Sequence, residues 1–349
     1  MLIKHNEGQE YNMTNRQNAL YKWLKLILGE IPFSITPVVG DASFRQYHRL
    51  LYSGLTRIVM DAPPDKESIH AFITVSRLFR EHGIKTPLVH HADETLGFAI
   101  LDDFGDQLFL NQLTESTHNP LYQSALTTLI NLQKIPTSQA ISLPPFDKQH
   151  CLNELHLFNQ WFLEAYLGLT LTTVEKRLIN QTFEWLSDAM VQHPRVIVHR
   201  DYHSRNIMIL DTSPSQEDDH SNANSIDLGI IDFQDAMTGS FTYDLVSLLK
   251  DCYVQLPTDQ IKSLLAYFYD HSTVAQQWHK PDFIRAFDDC GLQRHLKVLG
   301  VFSRLYLRDG KSGYLKDLPL TLHYVLSCLE TYEELHPFYQ FMQEKVKLP

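Results

Sequence analysis

The sequence contains nothing approaching the ~18 consecutive apolar residues of a membrane-spanning helix, so no membrane association is expected. Cysteine is scarce. The four present, Cys151, Cys252, Cys290 and Cys328, are far apart and form no C-x-x-C pair, which excludes a dense disulfide framework and reads as reduced, mostly buried thiols. Positive charge is in deficit, 30 basic residues against 41 acidic ones, for a formal net charge of −11. A general nucleic-acid binder would be basic, so no nucleic-acid partner is expected. The opening residues, MLIKHNEGQEYNM, lack the apolar stretch and small-residue cleavage site of a signal peptide, which points to the cytoplasm. There is no internal repeat, and nothing in the pattern specifies an oligomer.

What is present is a chain of 349 residues, 44% hydrophobic and 20% charged, long enough for two lobes with substantial cores. Leu20, Trp23, Leu24, Ile27 and Leu28 recur at helical spacing and Gly29 follows as a stop. "FSITPVV", "FRQYHRLL" and "TRIVMDA" then read as an antiparallel three-strand meander. "PPDKESIHAFITVSRLFREHG" predicts a helix over 63–83, and "PLVHHA" with "LGFAILDDF" predicts two more strands. Beyond Gly105 helices are expected over 107–134, 147–166, 172–192, 241–254, 258–270, 281–307 and 319–344. Short apolar runs, "RVIVH" with "NIMIL" and then "LGIIDF", interrupt them. The polar stretch 211–225 between these runs reads as a flexible hairpin loop. The expected fold is α+β and bilobal: a small β-rich lobe over 1–105, a connector near 102–106, and a mainly helical lobe over 106–349.

Chemistry concentrates in "VIVHRDYHSRNIMIL", 196–210, where His199-Arg200-Asp201 and then Asn206 fit the kinase catalytic-loop spacing H-R-D-x-x-x-x-N. Asp201 would accept the proton of an attacking hydroxyl. Asn206, across a tight loop, would reach a metal on the phosphate side. A second, carboxylate ligand should end the next strand, and "GIIDFQDA" supplies Asp232 there. An earlier Asp-Phe-Gly triplet, at Asp103-Phe104-Gly105, precedes the catalytic loop and stands where an interlobe hinge is expected. It is a decoy for the metal site, and Asp103 would sit on the adenine side of a nucleotide.

Taken together, "HRDYHSRN", "IDFQDA" and "YDLVSLLKDCY" resemble the aminoglycoside phosphotransferase group of kinase-like enzymes. With "GDASFRQYHRL", "VMDAPPD", "LPPFD" and "GLQRHLKVLGVFSRLYLRDGK", the finer likeness is to bacterial anomeric kinases of N-acetylmuramate and N-acetylglucosamine, which serve cell-wall sugar recycling. The likeness covers blocks from Gly40 to about Lys311. It implies a protein-kinase-like fold, ATP with Mg2+ as cofactors, a small amino sugar as substrate, and transfer to the C1 hydroxyl. One departure stands out. The third strand, "RIVMDAPP", carries Met60 and Asp61 where kinases place a phosphate-binding lysine, although the resembled sugar kinases share this trait. Nucleotide contacts would then fall to Ser43, Phe44 and Arg45 of the glycine-poor turn "GDASFR", with Arg45, and less so Arg49, either supplying the missing charge or lying on the surface.

Other candidates carry two readings each. Arg205 would neutralise the transferring phosphoryl group, and His203 would touch the substrate. Gln234 and Asp235 would face the acceptor or hold the loop backbone. His199 and His203 have zinc-like spacing but no third ligand is evident, and "DGKS" at 309–312 fails as a phosphate loop because Leu305 replaces its first glycine. Asp244 reads as the N-terminal cap or a first-turn acid of a helix. Arg294, Lys297, Arg304, Arg308 and Lys311 form a basic helical stripe. That stripe is either a solvated face or, through Arg294 and Arg308, an attractor for an anionic sugar. The rivals to a sugar 1-kinase are another small-molecule kinase and a nucleotide-binding pseudokinase scaffold.

Overall fold

The 3–4 residue spacing of Leu20, Trp23, Leu24 and Leu28 buries one face of the first helix, α1 (Asn15–Leu28). Gly29 ends it at φ 62°, a left-handed conformation that glycine adopts without a Cβ penalty. The computed structural model describes residues 15–38, 44–140, 142–210 and 226–349. Ser43 and the loop expected at 211–225 lie outside the described residues. The chain divides into two compact units, one comprising 1–80 and 86–105, the other 81–85 and 106–349.

In the smaller unit, β1 (Phe33–Val38), β2 (Gln46–Tyr52) and β3 (Leu55–Asp61) form the antiparallel meander. Ser53 and Gly54, both at positive φ, make the two-residue turn whose twist suits a hairpin. After α2 (His70–Glu81) come β4 (Val89–Asp93) and β5 (Phe98–Asp102), giving a five-stranded sheet ordered β1-β2-β3-β5-β4. Leu50, Val59, Phe98 and Ile100 pack on the buried face of α1, so that helix covers the sheet. Gly97 is required there, because a Cβ would stand 1.9 Å from the Ala62 carbonyl oxygen. The helix expected from residue 63 begins later. The Lys66 and Glu67 amides close a turn onto the Pro63 carbonyl, and Ser68 Oγ accepts from the His70 amide, so local side-chain and turn bonds displace the first two helical turns.

The larger unit holds α3 (His118–Gln133), α4 (Lys148–Leu157) and α5 (Thr173–Val191), then β6 (Arg195–Val198), β7 (Ile207–Ile209), β8 (Leu228–Ile230) and β9 (Met237–Ser240). It continues through α6 (Tyr243–Leu249), α7 (Thr258–His271), α8 (Lys280–Asp309), α9 (Leu318–Thr331) and α10 (His336–Lys345). Two expected helices are interrupted. Hydroxyl bonds between Thr114 and Thr117 delay α3 until His118, and a 3-10 turn at Glu333–Leu335 separates α9 from α10. Past α4 the chain winds into a π-helical segment, Phe158–Tyr166. There Gly300 of α8 comes so close that a Cβ would lie 2.4 Å from the Leu157 carbonyl group. Strands β6 and β9 pair antiparallel, as do β7 and β8, and these two ribbons frame the catalytic-loop sequence. The chain has an α+β fold, and among the described residues no helix is long and apolar enough to cross a membrane.

Candidate active site

The loop between β6 and β7 is held from outside itself. Asp244, fully buried in the first turn of α6, accepts the His199 amide at 2.6 Å and the Arg200 amide at 2.9 Å. Its carboxylate thereby fixes the bend at Arg200, whose φ of 76° is a strained choice for a residue with a side chain. His199 is also buried. Its Nε2 donates to the Ile231 carbonyl at 3.0 Å, which leaves Nδ1 to accept the Asp201 amide at 3.3 Å. Burial lowers the imidazole pKa to about 4, so it stays neutral in that tautomer. Further along, Ser204 donates through both its amide and its hydroxyl to the buried carboxylate of Asp251.

This scaffold brings Asp201, Asn206 and Asp232 together. The Asn206 amide Nδ2 donates to the Asp201 carbonyl at 3.0 Å and lies 3.4 Å from Asp232 Oδ2. Its backbone carbonyl accepts the Ile231 amide at 3.0 Å, which ties β7 to the segment preceding Asp232. Asp232 is turned by a left-handed φ of 61°, and Gln234 Nε2 donates to its Oδ1 at 2.8 Å. Because Nδ2 of Asn206 is committed to a carbonyl, its Oδ1 is the atom left to ligate. An amide oxygen beside a carboxylate is a hard-oxygen donor set. It fits Mg2+, which takes one or two protein ligands and fills its octahedron with water and phosphate oxygens. Among the described residues there is no group of three or more His, Cys, Asp or Glu suited to holding a metal by protein ligands alone.

Charge is arranged around Asp201. Burial by itself would raise its pKa, but Lys297, His203, Arg294 and Arg200 outweigh that and hold the carboxyl below its usual 3.8. Two of these cations share one buried acid, Glu154. It pairs with Arg200 and, at 3.3 Å, with Lys297, while Gln293 donates to it at 3.0 Å. Burial opposes the charge on Glu154 too, and the same cations keep it ionised. The result is a low-pKa carboxylate, a metal-competent amide–carboxylate pair and a surplus of positive charge around one loop.

A model of the phosphotransferase enzyme family matches residues 34–281. The chain belongs to that family. An N-acetylmuramate/N-acetylglucosamine kinase of Neisseria meningitidis serogroup B is 36% identical over 339 residues, spanning 95% of this chain and 96% of the relative. A protein of the same name from Pseudomonas aeruginosa is 35% identical over 311 residues, spanning 88% and 87%. Among solved structures, the GDP complex of wild-type aminoglycoside 2'-phosphotransferase-IIIa superposes with a TM-score of 0.62 at 14% identity, covering 90% of this chain and 99% of that one.

In this phosphotransferase the remaining sequence candidates have varied surroundings. The Arg205 guanidinium lies 3.7 Å over the Tyr253 ring, and His203, buried, packs edge-on against the same ring. His203 Nδ1 is buried without a hydrogen-bond partner. Gln234 and Asp235 hydrogen-bond to each other at 3.2 Å, and the Gln234 amide also braces Asp232 at 2.8 Å. The basic stripe on α8 does not form a uniform solvated face. Arg294 is 3% exposed and Lys297 is paired inside, whereas Arg308 is exposed and bonded to its neighbour Asp309. In the smaller unit Phe44 is exposed, and Arg45 is no surface arginine: its side chain is 8% exposed and pairs with Glu67 at 2.8 Å. Asp103 receives a two-pronged bond from Arg49, at 2.7 and 3.1 Å, and also accepts the Gly105 amide. Asp102 accepts from His90 and from the Leu88 amide, so both carboxylates before Phe104 are engaged structurally. Sequence reasoning did not single out Asp251, Glu154 or Glu67, and it assigned Asp244 to its own helix. The available signal was a lone acid inside an apolar stretch, as in "TYDLVSLL".

Proposed function

We propose that this phosphotransferase moves the γ-phosphoryl group of ATP to the anomeric C1 hydroxyl of N-acetylmuramate and N-acetylglucosamine, in the cytoplasm, as a step in reusing cell-wall sugars. The observation that carries the chemistry is the hydrogen-bonded convergence of Asp201, Asn206 and Asp232. The acceptor follows from two relatives of that printed name, each matched over most of both chains. Nucleotide use is supported by the fold likeness to a GDP-bound phosphotransferase.

In this mechanism Asp201 orients the C1 hydroxyl and takes its proton as the oxygen attacks the γ-phosphorus. The bond to the β–γ bridging oxygen breaks and ADP departs. Asn206 and Asp232 would hold Mg2+, which when bound would screen the phosphate charge. Gln234 keeps Asp232 aimed, and Arg205 neutralises the transferring group. For the smaller unit, Arg45, steadied by Glu67, takes the role of the missing third-strand lysine toward the α- and β-phosphates. Most of the acceleration comes from positioning and electrostatics, since phosphoryl transfer asks little covalent work of the protein.

The test is incubation with Mg-ATP and a panel of amino sugars, aminoglycosides and choline. An acid-labile product phosphorylated at C1 is expected. Phosphorylation at a non-anomeric hydroxyl, or ATP binding without turnover of any acceptor, would overturn the proposal.

A further inference from the structure

Three cations surround Asp201 from the larger unit, and they are not equivalent. Arg200 and Lys297 share the buried carboxylate of Glu154. Arg294, one turn before Lys297 on α8, has no such partner. The residue is 3% exposed, and among the described residues its hydrogen bond goes to Cys252 Sγ at 3.6 Å, with no carboxylate within ion-pair distance. A thiol sulfur is a weak acceptor. Burial raises the Cys252 pKa, so the thiol stays protonated and does not neutralise the guanidinium. The carboxylates whose fields Arg294 feels are Asp201 and Asp251; neither is bonded to it, and Asp251 is already engaged by Ser204.

A buried guanidinium with no carboxylate bonded to it is costly even with Asp201 nearby, and its persistence is accounted for if a ligand completes it. Its planar fork of donors matches a carboxylate better than a lone hydroxyl. The two acceptors named for the relatives differ in that respect: N-acetylmuramate carries a lactyl carboxylate on the amino sugar, and N-acetylglucosamine does not. We propose that Arg294 is the carboxylate-reading residue of the acceptor site, pairing with the acid group of the sugar. This rests on the functional reading above and assigns its charge selectivity to one side chain. Lys297 stays with Glu154, while Arg294, which also helps keep Asp201 ionised, is free of that acid and serves the substrate.

The experiment compares kcat/KM for N-acetylmuramate and N-acetylglucosamine in wild type, Arg294→Gln and Arg294→Lys. Loss of a charge-assisted pair should lower kcat/KM for the acidic sugar about 10- to 100-fold more than for the neutral one in Arg294→Gln. Arg294→Lys, which keeps the charge but loses the fork, should show a smaller loss confined to the acidic sugar. Because a buried substitution can impair folding, wild type is also assayed with the carboxamide of N-acetylmuramate, which should lose a comparable factor. Equal losses on both sugars, or undiminished turnover of the carboxamide, overturn this assignment alone. A wild-type protein that phosphorylates neither sugar overturns the functional reading, and this inference with it.

Discussion

Replacing Asp201 by Asn tests the assignment of the base with little structural disturbance. The bonds that shape this residue's backbone do not use its carboxylate: its amide donates to His199 Nδ1, and its carbonyl accepts from the His203 amide and from Asn206 Nδ2, both at 3.0 Å. An isosteric amide should therefore fold normally and hold nucleotide as before. What it removes is a carboxylate kept ionised, against burial, by Lys297, His203, Arg294 and Arg200. General-base catalysis is worth about 10²- to 10⁴-fold, equivalent to ~2.7–5.4 kcal/mol of barrier. The variant should lose that much kcat in a coupled ADP-release assay while its ATP affinity, by calorimetry, stays within about twofold of wild type. Since the folded carboxyl titrates below its usual 3.8, the wild-type rate should show no acid limb from this group near neutral pH. A variant retaining wild-type kcat would refute the role of Asp201, however well the geometry matches.

Asp232→Asn should abolish turnover at ordinary Mg2+, and Gln234→Ala, which removes the 2.8 Å brace on Asp232, should raise the Mg2+ needed for half-maximal rate by about 10-fold or more, read from Mg2+ titrations. Glu154→Gln leaves the partly buried Arg200 and Lys297 with no full counter-charge and should destabilise the protein by up to about 3–5 kcal/mol in urea unfolding. The folded Glu154 titrates below its usual 4.5, so its ionised form stabilises the native state fully above that pH. The gap between wild type and variant should shrink as pH falls below 4.5, and a gap constant with pH would contradict this. Asp244→Asn sets an NH2 group against one of two backbone amides and should cost about 1–3 kcal/mol with a fall in kcat, whereas an unchanged melting temperature would show that the loop holds itself.

Much of the site was legible in sequence because its spacing is local. Asp201 and Asn206 must span one tight loop, and Asp232 must end a short apolar strand, so the pattern survives as text. The groups that brace the loop are remote, Asp244 and Asp251 more than forty residues beyond their partners and Glu154 as far before Arg200. No short-range pattern marks such pairings. The decoy triplet could be dismissed by element order, but the partners that occupy its acids, Arg49 and His90, could not be named from order. The α8 stripe shows the same limit: helical period places Arg294, Lys297, Arg304 and Arg308 on α8, but Lys311 falls past the helix end at Asp309, and the period cannot say which end is buried.

The sequence by itself determined the elements, through periodicity and turn residues, and the catalytic spacing, through the length of one loop. Tertiary structure alone decided the electrical state of those residues. A carboxylate's charge depends on burial and on cations delivered by distant helices, and here two of them share Glu154 while Arg294 has no acid bonded to it.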